Sequence, residues 1–176
     1  DEKEATLLVD EVVPLLEALR VPLFLNDRLD VALAVGATGA HLGPDDMPIA
    51  MARRIVPGGF LLGASVGSGA EAGQGAGADY WGVGPLRGTS TKSDAGSAIG
   101  IDGFERIVQL APAGIPCVAI GGVQPEDVSG VRAAGSIAGC AQTKRSFSRS
   151  SGKSSCVTAT ACASSVICRR NVSDRC

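Results

Sequence analysis

Apolar positions along this chain follow two rhythms that take turns. Short continuous apolar runs end in polar or glycine-rich corners, and stretches with apolar residues three and four apart come after them. Leu23-Phe24-Leu25 runs into Asn26-Asp27-Arg28, and Leu29, Val31, Ala32 and Val35 then repeat at helical spacing until Gly36. Gly39–Leu42 reads as the next strand, and Met47–Val56 as a helix with Pro48 in its first turn, where proline is tolerated. Phe60–Ser65 is a strand, Ser68–Gly77 is expected to be a glycine-weakened helix, and Ala78–Pro85 is a strand with its exit. After a polar loop over Leu86–Gly100 come a helix over Ile101–Leu110, a strand over Ile115–Gly122, a helix over Gln124–Ala134 and a last short strand over Ser136–Ala141. The chain opens on an acidic stretch of helical spacing through Leu8, Val12, Leu15, Leu16 and Leu19, in which Pro14 predicts a break or kink.

Strands alternating with helices at short spacing predict a parallel sheet. The polar residues gather where strands end, and the helix ends carry only Gly and Pro. That habit belongs to the (β/α)8 TIM barrel, with a doubly wound sheet as the runner-up. Such barrels take about 250 residues and eight strands, so a chain of 176 residues is expected to hold an incomplete one.

Charge divides the chain. Residues 1–141 carry 9 Lys/Arg against 17 Asp/Glu, whereas residues 142–176 carry 7 against 1, with 9 Ser among them. The first part is expected to be the partial barrel. The Ser/Arg/Cys-rich tail has neither period; its composition is that of a solvated segment, expected to be disordered or a non-native continuation. No apolar run approaches the roughly 18 residues of a membrane span, and no secretory signal opens the chain, so a cytoplasmic setting is expected. The basic tail lacks interleaved aromatics, which argues against nucleic acid as a partner. Six Cys form no CxxC pair or Cys/His cluster, so neither a zinc site nor a thioredoxin-like motif is supported.

Three groups carry candidate chemistry. Asp27 and Asp46 come after successive parallel strands, so both fall at one edge of the sheet and together suit Mg²⁺, which takes one or two carboxylates. Either alone is better read as a helix cap. Thr89, Ser90, Thr91 and Lys92 could hold a phosphate or pyrophosphate, or form a solvated loop. Gly121-Gly122 could bring backbone N–H groups to a phosphate, or serve as a plain turn. Ser65 could donate a hydrogen bond to a ligand, or cap the next helix. His41, the only histidine, lies inside a strand and is expected to be structural.

The segments NDRLDVALAVGATGAHLGPDDMP, GADYWGVGP, TSTKSDAG, GIDGF and IPCVAIGGV, in this order, resemble thiamine-phosphate synthase. The resemblance implies a (β/α)8 barrel that couples hydroxymethylpyrimidine diphosphate with thiazole phosphate, releasing pyrophosphate, with Mg²⁺. It implies Asp27 and Asp46 as metal ligands, and Asn26, Ser65 and Lys92 at the pyrimidine diphosphate. It places Thr89, Ser90, Thr91 and Gly122 at the thiazole phosphate, and Lys3 as the remnant of an upstream diphosphate motif. Two further strands would precede Asn26 in that family, and Gln142-Thr143 do not fit the family's last phosphate-binding pair. These 176 residues alone are therefore expected to turn over weakly or not at all. A thiazole tautomerase-like enzyme and a non-catalytic phosphate-binding fragment are the alternatives. Oligomeric state is left open.

Overall fold

A computed structural model describes residues 8–88, 96–136 and 138–139. Six strands form one parallel sheet: β1 (Phe24–Asn26), β2 (Gly39–Leu42), β3 (Leu61–Val66), β4 (Tyr80–Val83), β5 (Cys117–Ala119) and β6 (Ala138–Gly139). Each pairs with the next, so spatial order equals chain order. A doubly wound sheet must reverse its order at a switch point. None occurs among the described strands, which sets that runner-up aside. With right-handed crossovers, an order that advances in one direction keeps every connecting helix on the same face.

Strand alternation fits this arrangement. Leu25, Ala40, Leu42, Leu62, Ala64, Val66, Trp81, Val83, Cys117 and Ala119 fall on one parity, and all are buried. Against them pack α1 (Val13–Leu19), α2 (Leu29–Ala34), α3 (Ile49–Ile55), α4 (Gly100–Val108) and α5 (Val128–Ala133). In α4, Phe104 and Ile107 face inward three residues apart. Gly130 of α5 lets Ile101 approach so closely that a Cβ there would lie 2.5 Å from Ile101 Cδ1. None of the described helices is long and apolar enough to cross a membrane.

One expected element takes another form, and one expected break falls where Pro14 puts it. A π-helical turn over Leu8–Val12 gives way to α1, whose first turn holds Pro14. Residues 68–77 are turns, not a helix, joined by bonds between residues three apart, such as Gln74 N–H to Glu71 O at 2.9 Å. Four glycines in ten positions withdraw the side chains and the backbone bias that an α-helix needs. Gly75 has a further reason to be glycine. The Trp81 indole N–H donates to its carbonyl at 2.9 Å, and a Cβ at Gly75 would lie 2.5 Å from that nitrogen.

At the N-terminal edge of the sheet, Arg53 donates to the carbonyls of Phe60 and Gly77 and to Asp79 Oδ2, which also accepts from Leu62 N–H at 2.7 Å. This network joins α3 to the starts of β3 and β4. Its groups are committed to holding the fold.

The second face of the sheet carries Phe24, Asn26, His41, Leu61, Ser65 and Tyr80, all half-buried, with Gly39, Gly63 and Gly82 between them. The glycines make room for rings. A Cβ at Gly63 would meet Tyr80 Cζ and lie 2.5 Å from His41 Nδ1. Gly63→Ala should therefore destabilise the protein by about 1–3 kcal/mol, the usual cost of overpacking. Gly58→Ala, with nothing within 4 Å of the new methyl, should stay within about 0.5 kcal/mol. Urea unfolding of the two variants beside the parent checks this.

Candidate active site

The C-terminal ends of β1 to β5 lie along one edge of the sheet, and the described candidate residues gather there. Asn26 is the last residue of β1. In the ladder it stands opposite His41, which stands opposite Gly63, which stands opposite Tyr80. Asn26, His41 and Tyr80 thus share one level of one face. Ser65 lies two residues further along β3 on the same parity.

Asp27 comes next, with φ +65, in the left-handed region that side chains other than Gly, Asn and Asp seldom enter. Its N–H donates to His41 O at 2.9 Å, and Arg28 N–H reaches back to Asn26 O at 2.7 Å. A three-residue turn therefore ends β1 and leaves the Asp27 residue exposed at the strand tip. Such a backbone at an exposed carboxylate is the kind of local strain found at ligand sites. Arg28 is committed elsewhere. It pairs with Asp30 through two bonds, and those bonds hold the Asp30 carboxyl down to about 2.

Asp46 lies four residues past β2. Its Oδ2 accepts from Gly43 N–H at 2.6 Å, and its own N–H donates to Gly43 O. The carboxylate therefore braces the turn that leaves β2. The N-caps of α2 and α3 are Arg28 and Pro48, neither with a side-chain capping bond. Neither Asp27 nor Asp46 is thus the cap of the helix after it. Asp27 and Asp46 belong to adjacent strand ends, the placement expected of a shared cation site. Among the described residues no three or more His, Cys, Asp or Glu group together. A cation at this edge would rest on the two carboxylates, water and ligand oxygens, a donor set that suits Mg²⁺.

Ser65 is half-buried. Its Oγ lies 2.9 Å from His41 Nε2, and His41 Nδ1 lies 3.0 Å from the Tyr80 hydroxyl. The Tyr80 ring stands edge-on to Phe24, with centroids 5.8 Å apart. His41, expected to be structural, thus sits directly against a candidate ligand-binding side chain. The signal was present in parity. His41 precedes the end of β2 by one residue, as Gly82 precedes the end of β4 and Ser65 that of β3. The partners themselves lie 24 and 39 residues away in sequence, and only the ladder brings them together.

Gly121 and Gly122 have φ +76 and +67. Both are pressed by the exit of β4. A Cβ at Gly121 would lie 2.6 Å from Pro85 Cβ, and one at Gly122 3.0 Å from Arg87 Cβ. Arg87 N–H donates to Gly121 O at 3.0 Å. Glycine is needed here for close approach as well as for the turn. The Arg87 guanidinium then pairs with buried Asp127 through bonds of 2.9 and 2.7 Å, and Asp127 Oδ2 accepts from Gln124 N–H. The exit of β4 is thereby clamped to the 3₁₀ turn over Pro125–Asp127. Past the polar loop, Ile99 and Gly100 N–H groups return to Pro85 and Leu86 carbonyls. Lys3, Thr89, Ser90, Thr91 and Lys92 lie outside the described residues, as does the 142–176 tail.

A sheet wound in one direction, with helices on one face and polar side chains at its C-terminal edge, defines the class of β/α proteins that work at the ends of their strands. Comparison with known proteins narrows the class. The family model for thiamine monophosphate synthase matches residues 1–143. A thiamine-phosphate synthase of Chloroflexus aurantiacus is 48% identical over 141 residues, covering 76% of this chain and 64% of the relative. A solved thiamine phosphate pyrophosphorylase of Pyrococcus furiosus superposes with a TM-score of 0.62 at 37% identity, covering 77% of this chain and 64% of that one. A structure described as "Native KDPGal structure" superposes at 0.59 with 18% identity, covering 80% of this chain and 66% of that one, a likeness of fold alone. The chain belongs to the thiamine monophosphate synthase family. It spans just under two thirds of the length of the Chloroflexus aurantiacus relative and of the Pyrococcus furiosus chain.

The Arg87 bonds hold the Asp127 carboxyl below its ordinary range. A depressed folded-state pKa adds stability that is complete above the unfolded value, about 3.9, and is lost as pH falls through the lower folded value. Asp127→Asn should lower stability at neutral pH and flatten the acid limb below about pH 4. Denaturant unfolding at neutral and acid pH tests both.

Proposed function

We propose that the protein is a thiamine-phosphate synthase. It couples hydroxymethylpyrimidine diphosphate with thiazole phosphate, and gives thiamine phosphate and pyrophosphate. The observation that carries this reading is the pair of carboxylates at adjacent strand ends, Asp27 and Asp46, beside Asn26 and Ser65 in a chain of this family.

Asp27 and Asp46 would hold a Mg²⁺ ion. The bound ion supplies positive charge against the oxygens of the departing diphosphate. Asn26 and Ser65 present an amide and a hydroxyl to the pyrimidine diphosphate, and Lys92 adds a cation for the leaving group. The bond from the pyrimidine methylene to the diphosphate oxygen breaks, that oxygen keeps the electron pair, and the thiazole nitrogen supplies the pair for the new C–N bond. This chemistry asks for charge stabilisation at the leaving group more than for a general base. Thr89, Ser90, Thr91 and the backbone at Gly122 receive the thiazole phosphate, and Lys3 reaches the diphosphate. On this reading the described strands would be an arc of a (β/α)8 barrel, in a transferase that works in the cytoplasm.

Isothermal calorimetry with inorganic pyrophosphate, with and without Mg²⁺, tests the site. Binding should require Mg²⁺ and weaken at least tenfold in Asp46→Ala, about 1.4 kcal/mol or more. Binding indifferent to the metal, or no binding at all, would count against the synthase and favour a fragment without catalysis.

A further inference from the structure

The bonds between His41, Ser65 and Tyr80 have a direction set by the chemistry of the three groups. His41 Nδ1 faces the Tyr80 hydroxyl at 3.0 Å and Nε2 faces Ser65 Oγ at 2.9 Å. A neutral imidazole donates from one nitrogen and accepts at the other. Two arrangements satisfy both contacts. Either Tyr80 donates to Nδ1 and Nε2–H donates to Ser65, or Ser65 donates to Nε2 and Nδ1–H donates to Tyr80. A phenol, with a pKa of about 10, is a far stronger acid than an aliphatic hydroxyl, and so the better donor. The aliphatic oxygen is the better acceptor. The first arrangement matches each group to its stronger role.

The fold holds the three in place. A Cβ at Gly63 would lie 2.5 Å from Nδ1, and one at Gly82 would lie 2.8 Å from His41 Cε1, so glycine on β3 and on β4 admits the imidazole. Phe24 meets the Tyr80 ring edge-on and fixes the phenol from the far side.

We propose that His41 is a positioning residue. Tyr80 locks it in the Nε2–H tautomer, and its donated bond turns the Ser65 hydroxyl proton away from the imidazole and toward the ligand. Ser65 is thereby preset as a donor to an acceptor atom of the pyrimidine diphosphate. Only the identity of that acceptor rests on the function proposed above. The orientation of the three side chains does not.

His41 is the only histidine in the chain, so its imidazole ¹⁵N resonances need no assignment. The test is long-range ¹H–¹⁵N correlation on the whole protein at about pH 8, above the ordinary imidazole pKa of about 6.5. The parent should show Nε2 protonated and Nδ1 bare. Tyr80→Phe keeps the ring against Phe24 and removes the donor, so its Nδ1–H fraction should rise severalfold. Ser65→Ala should leave the tautomer as in the parent, because the Tyr80 bond is made at the other nitrogen. A predominant Nδ1–H tautomer in the parent, a tautomer unmoved by Tyr80→Phe, or one that inverts in Ser65→Ala would each overturn the proposal. Should Tyr80→Phe lose the amide dispersion of a folded protein, the parent and Ser65→Ala spectra decide. None of these spectra requires turnover. A protein that fails to bind pyrophosphate with Mg²⁺ but shows the expected tautomer refutes the function and leaves the positioning role standing.

Discussion

Everything at the candidate site depends on one constraint, that successive strands are parallel neighbours in unbroken order. Parallel pairing brings all the strand exits to one edge, and unbroken order makes consecutive exits adjacent. Asp27 and Asp46, nineteen positions apart in sequence, thereby follow the ends of adjacent strands. The same constraint sends every crossover helix to one face and leaves the other face to rings, glycines and polar groups. The edge opposite the site is occupied by the Arg53–Asp79 network, which holds β3, β4 and α3 together. Stability and candidate chemistry thus sit at opposite ends of the strands.

Glycine shapes the second face. Gly39, Gly63 and Gly82 each stand where a methyl group would collide with Phe24, with Tyr80 and His41, or with His41 and Ile120. Removing three side chains from the strands lets three rings lie across them. The gain is a fixed polar arrangement next to Ser65. At the exit of β4 the same device recurs in Gly121 and Gly122, where Pro85 and Arg87 make the close approach. Arg87 and Asp127 then hold the approach with a bidentate pair, the geometry in which an ion pair contributes most.

Much of the fold was legible because its signals are local. Three- to six-residue apolar strands ending in polar corners, and helices with Phe104 and Ile107 three apart, are written in consecutive residues. The 68–77 segment misled because its helical length and position in the rhythm were right while its glycines had already removed the helix. Pro14 was legible as a break because proline cannot donate inside a helix, and the change from the π-helical turn to α1 falls there. Asp27 and Asp46 were singled out because they come after strands. The left-handed backbone at Asp27 and the Gly43 contact of Asp46 were not, since both depend on the turn that tertiary pairing selects. The link from His41 to Ser65 and Tyr80 needs the register of three strands and could not be read from any one of them.

The central claim is that the ends of β1 and β2 share one divalent cation. Paramagnetic broadening by Mn²⁺ in the presence of pyrophosphate addresses it directly, because the effect reports distance from the ion. Amide signals of Asp27, Arg28, Gly43 and Asp46 should broaden together at the lowest Mn²⁺ added, while those of Gly58 and Asp79 at the opposite edge stay sharp. Broadening confined to one strand end, or spread evenly over exposed carboxylates such as Glu105 and Glu126, would contradict a shared site.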